Sequence, residues 1–353
     1  MDKRERQFWN VVKGIAVFLM IWEHCLQYCA MDSFDFFEDA AFATIYTFHM
    51  PAFMLVSGYL FFYSFQKREL GTLLQHRIQS MLHPIIFATI LHNVLMLIPE
   101  WFLTDRIRVF KGALFTGFDY VYWFLWAVLL SGITVGVAWK VSSSLTLQLL
   151  LTAAGAVFLM LFPMWEMCLF MYPFFVIGFL CGKYRTRAVQ GFPVLKYGFV
   201  ILFLGMLPFY EKKHYIYLTA TYLENAGSLE ILSVWSFRFV IGLAGSITLL
   251  AVTDLLIRVM HEKRIGARIL SAVEAMGENS LQMYCLSVPL LSGYLPHLYR
   301  KGMELFGGNI FAKSMLVYDL LFTPALSVLA CAAIYLAVWV LRKCGLHKLI
   351  FGR

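Results

Sequence analysis

Three ionisable side chains fall inside the first long apolar run of this 353-residue chain: Lys13, Glu23 and His24. An ionisable residue in such a run is costly unless it faces a partner or a wet cavity, so each is a candidate for function. Lys13 and His24 stand eleven residues apart. At about 100° per residue this is three turns plus ~20°, which puts both on one helix face about 16 Å apart along the axis. Asn10 and Gln27 share that face, interrupted only by Val17 and Met20. A cation thus stands near one end of a single wall and an imidazole near the other, while Glu23 points about a quarter turn away. Imidazole suits general-base work near neutrality. The plain alternative is that Lys13 snorkels to the interface and His24 hydrogen-bonds a neighbouring helix.

Two further candidates lie in later apolar runs. His49 falls about seven residues into the second run, at a depth similar to that of His24, so two imidazoles could meet at one level of the bilayer. Pro51 follows closely, freeing a backbone carbonyl and bending the helix where a cavity needs room. Either Glu23 or His49 is placed to orient His24. Arg238, about four residues into the eighth run, is another ionisable residue within a span and so another candidate. An ion pair to Glu230 or Glu23 would equally explain it. His83 and His92 are read as satisfied packing histidines.

The elements that must position these residues follow from composition. Only 14% of the chain is charged and 61% is hydrophobic, so lipid must be the solvent for most of it. Apolar runs fall at roughly 8–30, 42–63, 84–99, 120–139, 145–162, 167–182, 197–209, 235–257, 280–296 and 315–341. The fold class expected is all-α, a polytopic transmembrane bundle of about ten helices forming one domain over 1–353. The runs at 84–99, 167–182 and 197–209 are short, and are expected to tilt or to extend into their flanks. The first run is too long for a signal-peptide core and lacks a small-residue cleavage site, so it reads as a retained span.

Charge sets the orientation. Of the 29 Lys and Arg, nineteen lie on the side of both termini, among them Lys3, Lys67, Arg77, Lys140, Lys183 and Arg342. Eight lie on the other side, including Arg106, Arg108, Lys111 and Lys212, together with the acidic loop Asp32, Asp35, Glu38 and Asp39. The positive-inside rule then puts the N- and C-termini in the cytoplasm. The net charge of +8 is a topology signal and forms no stripe that could track nucleic acid. Seven cysteines without ligand spacing give no reason to expect a metal. The aromatic residues of the outer loops, Trp101, Trp123, Tyr210, Tyr215, Tyr217 and Tyr222, suit an interfacial belt and also suit sugar rings.

The segment VVKGIAVFLMIWEHC, ending on Cys25, resembles the first helix of the acyltransferase-3 family, membrane enzymes that O-acylate sugars and related acceptors. FHMPAFMLVSGYLF, from Phe48 to Phe61, is similar to the family's second helix, with Pro51, Ser57 and Gly58 in matching places. QKRELGTLLQHRIQSMLHPIIF resembles its basic cytoplasmic loop and a third helix begun by proline, matching at Arg77 and Pro84. Weaker likenesses run through YWFLWAVLL, YPFFVIGFLCGKY and GENSLQMYCLS, so the resemblance covers nearly the whole chain. Lys13 stands where the family often has Arg, which keeps the charge and loses the bidentate fork. Ser287 stands where a second helix-borne His is frequent.

The resemblance implies transfer of an acyl group, acetyl by default, from acyl-CoA as co-substrate to a hydroxyl of a carbohydrate or polysaccharide acceptor in a bacterial inner membrane. Lys67, Arg68, His76, Arg77 and Lys13 would offer the donor's phosphates cations at the cytoplasmic side, and Ser57 is grouped with them as a donor-binding residue. The pantetheine arm, on the order of 15–20 Å, is comparable with the rise from Lys13 to His24. His24 would take the proton from the acceptor; an acyl-His24 relay is the covalent variant. A rival class is a transporter or flippase of a lipid-linked sugar or small anion. Such folds often carry inverted repeats, and the sequence has none visible.

Overall fold

In the computed structural model the residues described are 1–30, 33–103, 121–162, 164–224 and 226–351, with side chains for all of these except 96–103, 220 and 347–349. Asp32, Arg106, Arg108 and Lys111, named above for topology, lie outside the described residues, as does the side chain of Trp101; of the nineteen cations on the terminal side, Arg353 and the side chain of Lys348 also lie outside them.

The described chain is helical, with no strand among the described residues. The long helices are α1 (Lys3–Ala30), α2 (Ala40–Lys67), α3 (Leu70–Leu103) and α4 (Trp123–Lys140). There follow α5 (Leu145–Leu159), α6 (Trp165–Lys183), α7 (Arg185–Met206), the short α8 (Ile216–Leu223) and α9 (Ser228–Met260). The last part carries α10 (Arg264–Glu278), α11 (Ser280–Val288), α12 (Leu295–Glu304), α13 (Met315–Lys343) and α14 (Leu346–Phe351). Eight of these, α1 to α4, α6, α7, α9 and α13, are long and apolar enough to cross a membrane. The expected fifth span is the 15-residue α5. The expected ninth is helical in three pieces, α11, a π-helical turn at Pro289–Tyr294, and α12. The chain is a polytopic helical membrane protein.

The three short runs do extend into their flanks. α3 differs from expectation: it begins at Leu70 and continues through Pro84, so Arg77 sits within a helix rather than a loop. The stretch from Leu70 to His83 is rich in Leu, Gln, Arg and Met, which favour helix. One proline then removes a single hydrogen bond without ending the element.

The described contacts divide the chain into two compact units. The first comprises Met1–Trp9, Thr47–Leu82 and Trp123–Lys263; the second comprises Asn10–Tyr46, His83–Tyr122 and Arg264–Arg353. Within the first, α2 and α6 cross on glycine: a Cβ on Gly58 would overlap the Phe175 carbonyl, and one on Gly178 would overlap that of Leu55. Close backbone approach through small residues is how membrane helices gain packing where no hydrophobic effect drives them together. Gly242 of α9 makes room for Pro51 in the same way. Tyr172 and Trp139 both bond Thr152, to its carbonyl at 3.0 Å and its hydroxyl at 3.1 Å, tying α4, α5 and α6.

Within the second unit the same device joins α1 to α10. A Cβ on Gly14 would overlap the Val273 carbonyl, and one on Gly277 would overlap that of Asn10. α13 is pinned to the far half of α1 by polar side chains, and its Tyr318–Phe322 turn is π-helical. Leu320, Leu321, Leu329 and Leu336 of α13, and Leu202 and Leu204 of α7, are exposed, as lipid-facing residues are.

Candidate functional site

His24 is held by bonds on either side of it. Two residues before it, Trp22 Nε1 donates to Thr323 Oγ1 at 2.9 Å; two residues after, Tyr318 Oη donates to the Leu26 carbonyl at 2.7 Å. Asn309 Nδ2 donates to the Cys29 carbonyl at 2.8 Å, closing the end of α1. Thr323 Oγ1 itself donates to the Tyr318 carbonyl at 2.9 Å, five residues back, which is the spacing a π turn supplies. These bonds fix the helix face on which the half-buried imidazole stands. His24 Nδ1 lies 3.4 Å from Gln27 Oε1, and its ring lies 5.8 Å from that of Tyr28. If Nδ1 carries the hydrogen toward Gln27, Nε2 keeps the lone pair a general base needs. Gln27, noted in the sequence only as a member of the polar face, is thus the group seen beside the imidazole. Glu23 belongs to the same unit and is buried on another face of α1.

Lys13 is half-buried at the other end of the stripe, next to Gly14, where the Val273 carbonyl of α10 packs against the α1 backbone. Asn10 Nδ2 donates to Glu278 Oε1 at 3.3 Å. Between Lys13 and His24, Val17 and Met20 are 0% and 2% exposed. The two polar ends are therefore separated on that face by packed apolar side chains.

The remaining candidates belong to the first unit. His49 is buried on α2, and Ser57, on the same helix, is half-buried beside the Gly58 crossing. Arg68 Nη1 donates to Ser64 Oγ at 2.6 Å, and His76 is exposed on α3. Arg77 turns inward: Nη2 donates to the Val128 carbonyl at 2.9 Å, and its guanidinium carbon lies 5.3 Å and 5.8 Å from the Phe61 and Phe175 ring centres. Arg238 is buried, donates to Thr219 Oγ1 at 3.2 Å, and sits 4.3 Å from the Phe170 ring and 5.2 Å from that of Trp235. A desolvated guanidinium against two aromatic faces is a strong cation–π arrangement.

Other groups carry no functional signal in the sequence. Lys183 and Lys140, counted only for topology, lie over Trp139 at 4.0 Å and Phe65 at 4.7 Å. His214 is buried against Phe237, ring centres 4.4 Å apart, and its Nδ1 accepts from the Glu211 N–H at 2.9 Å. Burial, with the Lys213 charge second, pushes its imidazole down to about 4. His92 was read as a satisfied packing histidine, yet its buried Nδ1 lacks a hydrogen bond. Ser287 is satisfied within its own helix by the Tyr284 carbonyl at 2.9 Å.

A family model described as an acyltransferase domain, that of the acyltransferase-3 family, matches residues 6–342, which takes in parts of both units. Among curated proteins, the chain is 30% identical over 194 residues to nodulation protein NolL of Mesorhizobium japonicum, covering 52% of this chain and 49% of the relative. It is 29% identical over 202 residues to nodulation protein NolL of Sinorhizobium fredii, covering 55% and 53%. The chain thus spans about half the length of the curated relatives it matches. No solved structure matches it significantly.

Proposed function

The chain belongs to the acyltransferase-3 family, and on that premise we propose that it is a membrane-embedded O-acyltransferase with His24 as general base. The donor is acyl-CoA, acetyl-CoA foremost, entering from the cytoplasmic side where both termini lie. The acceptor is a hydroxyl of a carbohydrate or polysaccharide, and the membrane is the bacterial inner membrane. The observation that carries the reading is the held imidazole: His24 is fixed between two helix-clamping hydrogen bonds, with Gln27 beside Nδ1.

In the reaction, His24 Nε2 takes the proton from the acceptor hydroxyl as its oxygen attacks the thioester carbonyl carbon. The carbon–sulfur bond breaks, and the leaving thiolate recovers the proton from the imidazolium. Of the residues proposed to bind the donor, Lys13 offers a cation in one unit, and Arg68, His76 and Arg77, with Ser57, offer polar groups in the other. His49 or Glu23 assists the imidazole, and Arg238 stabilises developing negative charge or holds the acceptor. The thioester arm passes Val17 and Met20 only if those side chains give way on donor binding, a motion of lid type.

The test uses purified protein in detergent, where no compartments exist to transport between. Radiolabel should pass from acetyl-CoA to an added glycan acceptor, and a folded His24→Ala variant should lose the transfer by at least about a hundredfold. Wild-type transfer by that variant ends the assignment of His24; no transfer by the parent protein favours the transporter reading.

A further inference from the structure

Within the second unit, one face of α3 carries three polar side chains whose buried atoms lack hydrogen bonds. Thr89, His92 and Asn93 stand at i, i+3 and i+4, so they fall within an arc of about 100°. They are 3%, 9% and 5% exposed. Thr89 Oγ1, His92 Nδ1 and Asn93 Oδ1 are each buried without a partner, while Asn93 Nδ2 donates to the Thr89 carbonyl at 2.8 Å.

Tyr122 Oη shares its one hydrogen between the Ala88 carbonyl at 3.1 Å and the Cys285 carbonyl at 3.0 Å, linking the turn of α3 that leads into Thr89 to α11. The Tyr122 ring lies 6.4 Å from that of His92 and 6.1 Å from that of Tyr284. Gln282, 8% exposed, stands one turn before Cys285 on α11. Buried polar atoms are paired in the great majority of cases, and inside a bilayer no bulk water serves those that are not. Three on one face, beside the Tyr122 contact with α11, are a cluster whose hydrogen-bonding capacity is left for another molecule to meet.

The three atoms form a neutral donor and acceptor set. The threonine hydroxyl gives and takes, the asparagine oxygen takes, and the imidazole nitrogen does either according to its tautomer. Neutral groups of this kind match amides and hydroxyls. We propose that Thr89, His92 and Asn93 form a binding surface for the amide and hydroxyl groups of a substrate chain. The proposal rests on the acyltransferase reading, which supplies two carriers of that chemistry: the pantetheine arm of the donor and the carbohydrate acceptor.

The experiment uses full-length protein in a sugar-free detergent and the near-isosteric variants Thr89→Val, Asn93→Leu and His92→Phe. Thr89→Val and His92→Phe should leave Tm unchanged or raise it, and Asn93→Leu, which also loses the 2.8 Å bond to the Thr89 carbonyl, should lower it slightly, while ligand binding weakens about five- to tenfold for each hydrogen bond lost. If the pantetheine arm is the occupant, Kd for desulfo-CoA rises by that factor while Kd for adenosine 3′,5′-bisphosphate, which lacks the arm, stays constant. If the acceptor is the occupant, desulfo-CoA binding is unchanged and KM for octyl glucoside as acyl acceptor rises instead. Variants that leave both quantities at wild-type values, whatever their Tm, overturn the proposal and leave the parent reading intact. A wild-type protein that neither binds desulfo-CoA nor consumes acetyl-CoA overturns the parent reading, and this one with it.

Discussion

Gly132→Ala moves the Arg77 guanidinium without touching its charge. A Cβ at Gly132 would lie 2.5 Å from Arg77 Nε and 3.2 Å from its Cζ and Nη2, so the head group must shift. The shift breaks the 2.9 Å bond to the Val128 carbonyl, about 1.5–3 kcal/mol for a charged donor. It also loosens the contacts with Phe61 and Phe175 at 5.3 Å and 5.8 Å, about 0.5–1 kcal/mol each. Partial retention of these contacts leaves a net loss of about 2 kcal/mol, an equilibrium factor of roughly 30. The assay is thermal unfolding in detergent beside steady-state kinetics with acyl-CoA, comparing Gly132→Ala with Arg77→Lys. Both variants should lower Tm, and both should raise KM for acyl-CoA about ten- to thirtyfold while kcat changes less than about threefold, as loss of ground-state donor binding requires. A lowered Tm with an unchanged KM in both would refute donor binding by Arg77 and leave it as a packing residue.

Gln27→Leu removes the acceptor beside His24 Nδ1 and should cut kcat about tenfold or more with KM little changed; equal kcat in a folded variant removes Gln27 from the mechanism. Tyr318→Phe deletes the bond to the Leu26 carbonyl and should destabilise the protein by about 1–2 kcal/mol, read as a lowered Tm. His214 gives a pH dependence. Its folded imidazole sits at about 4 against about 6.5 when unfolded, so the unfolded chain takes the proton first as pH falls. Its stability contribution is complete above about pH 6.5 and is lost as pH falls through about 4, by about 3 kcal/mol in all. His214→Phe should flatten the Tm–pH profile over that window; an unchanged slope would show that His214 is not its source.

The helical class and the polar face of α1 were legible because both rest on simple periodicities: apolar length against bilayer thickness, and one turn per 3.6 residues. The short runs were legible as incomplete for the same reason. α3 was not, because Pro84 reads locally as a start, whereas its flanks carry enough helix-forming residues to run through it. The family pattern placed Arg77 as a loop cation, and only packing reveals the aromatic pair and the glycine that receive it. Gln27 fell on the right face, yet its pairing with His24 is a rotamer choice that spacing does not fix. His92 was hidden for a different reason: a histidine in an apolar run reads the same whether its nitrogen is satisfied or not, and only the atoms around it tell. Val17 and Met20 were legible as interruptions of the stripe, while their complete burial is a tertiary fact.

A density map of the full-length protein with coenzyme A bound tests the central claim most directly. Phosphates beside Lys13, displaced Val17 and Met20 side chains, and the thiol within about 4 Å of His24 Nε2 are the expected result. A map that seats the thiol away from His24, with Val17 and Met20 still closed over the face of α1, would contradict it.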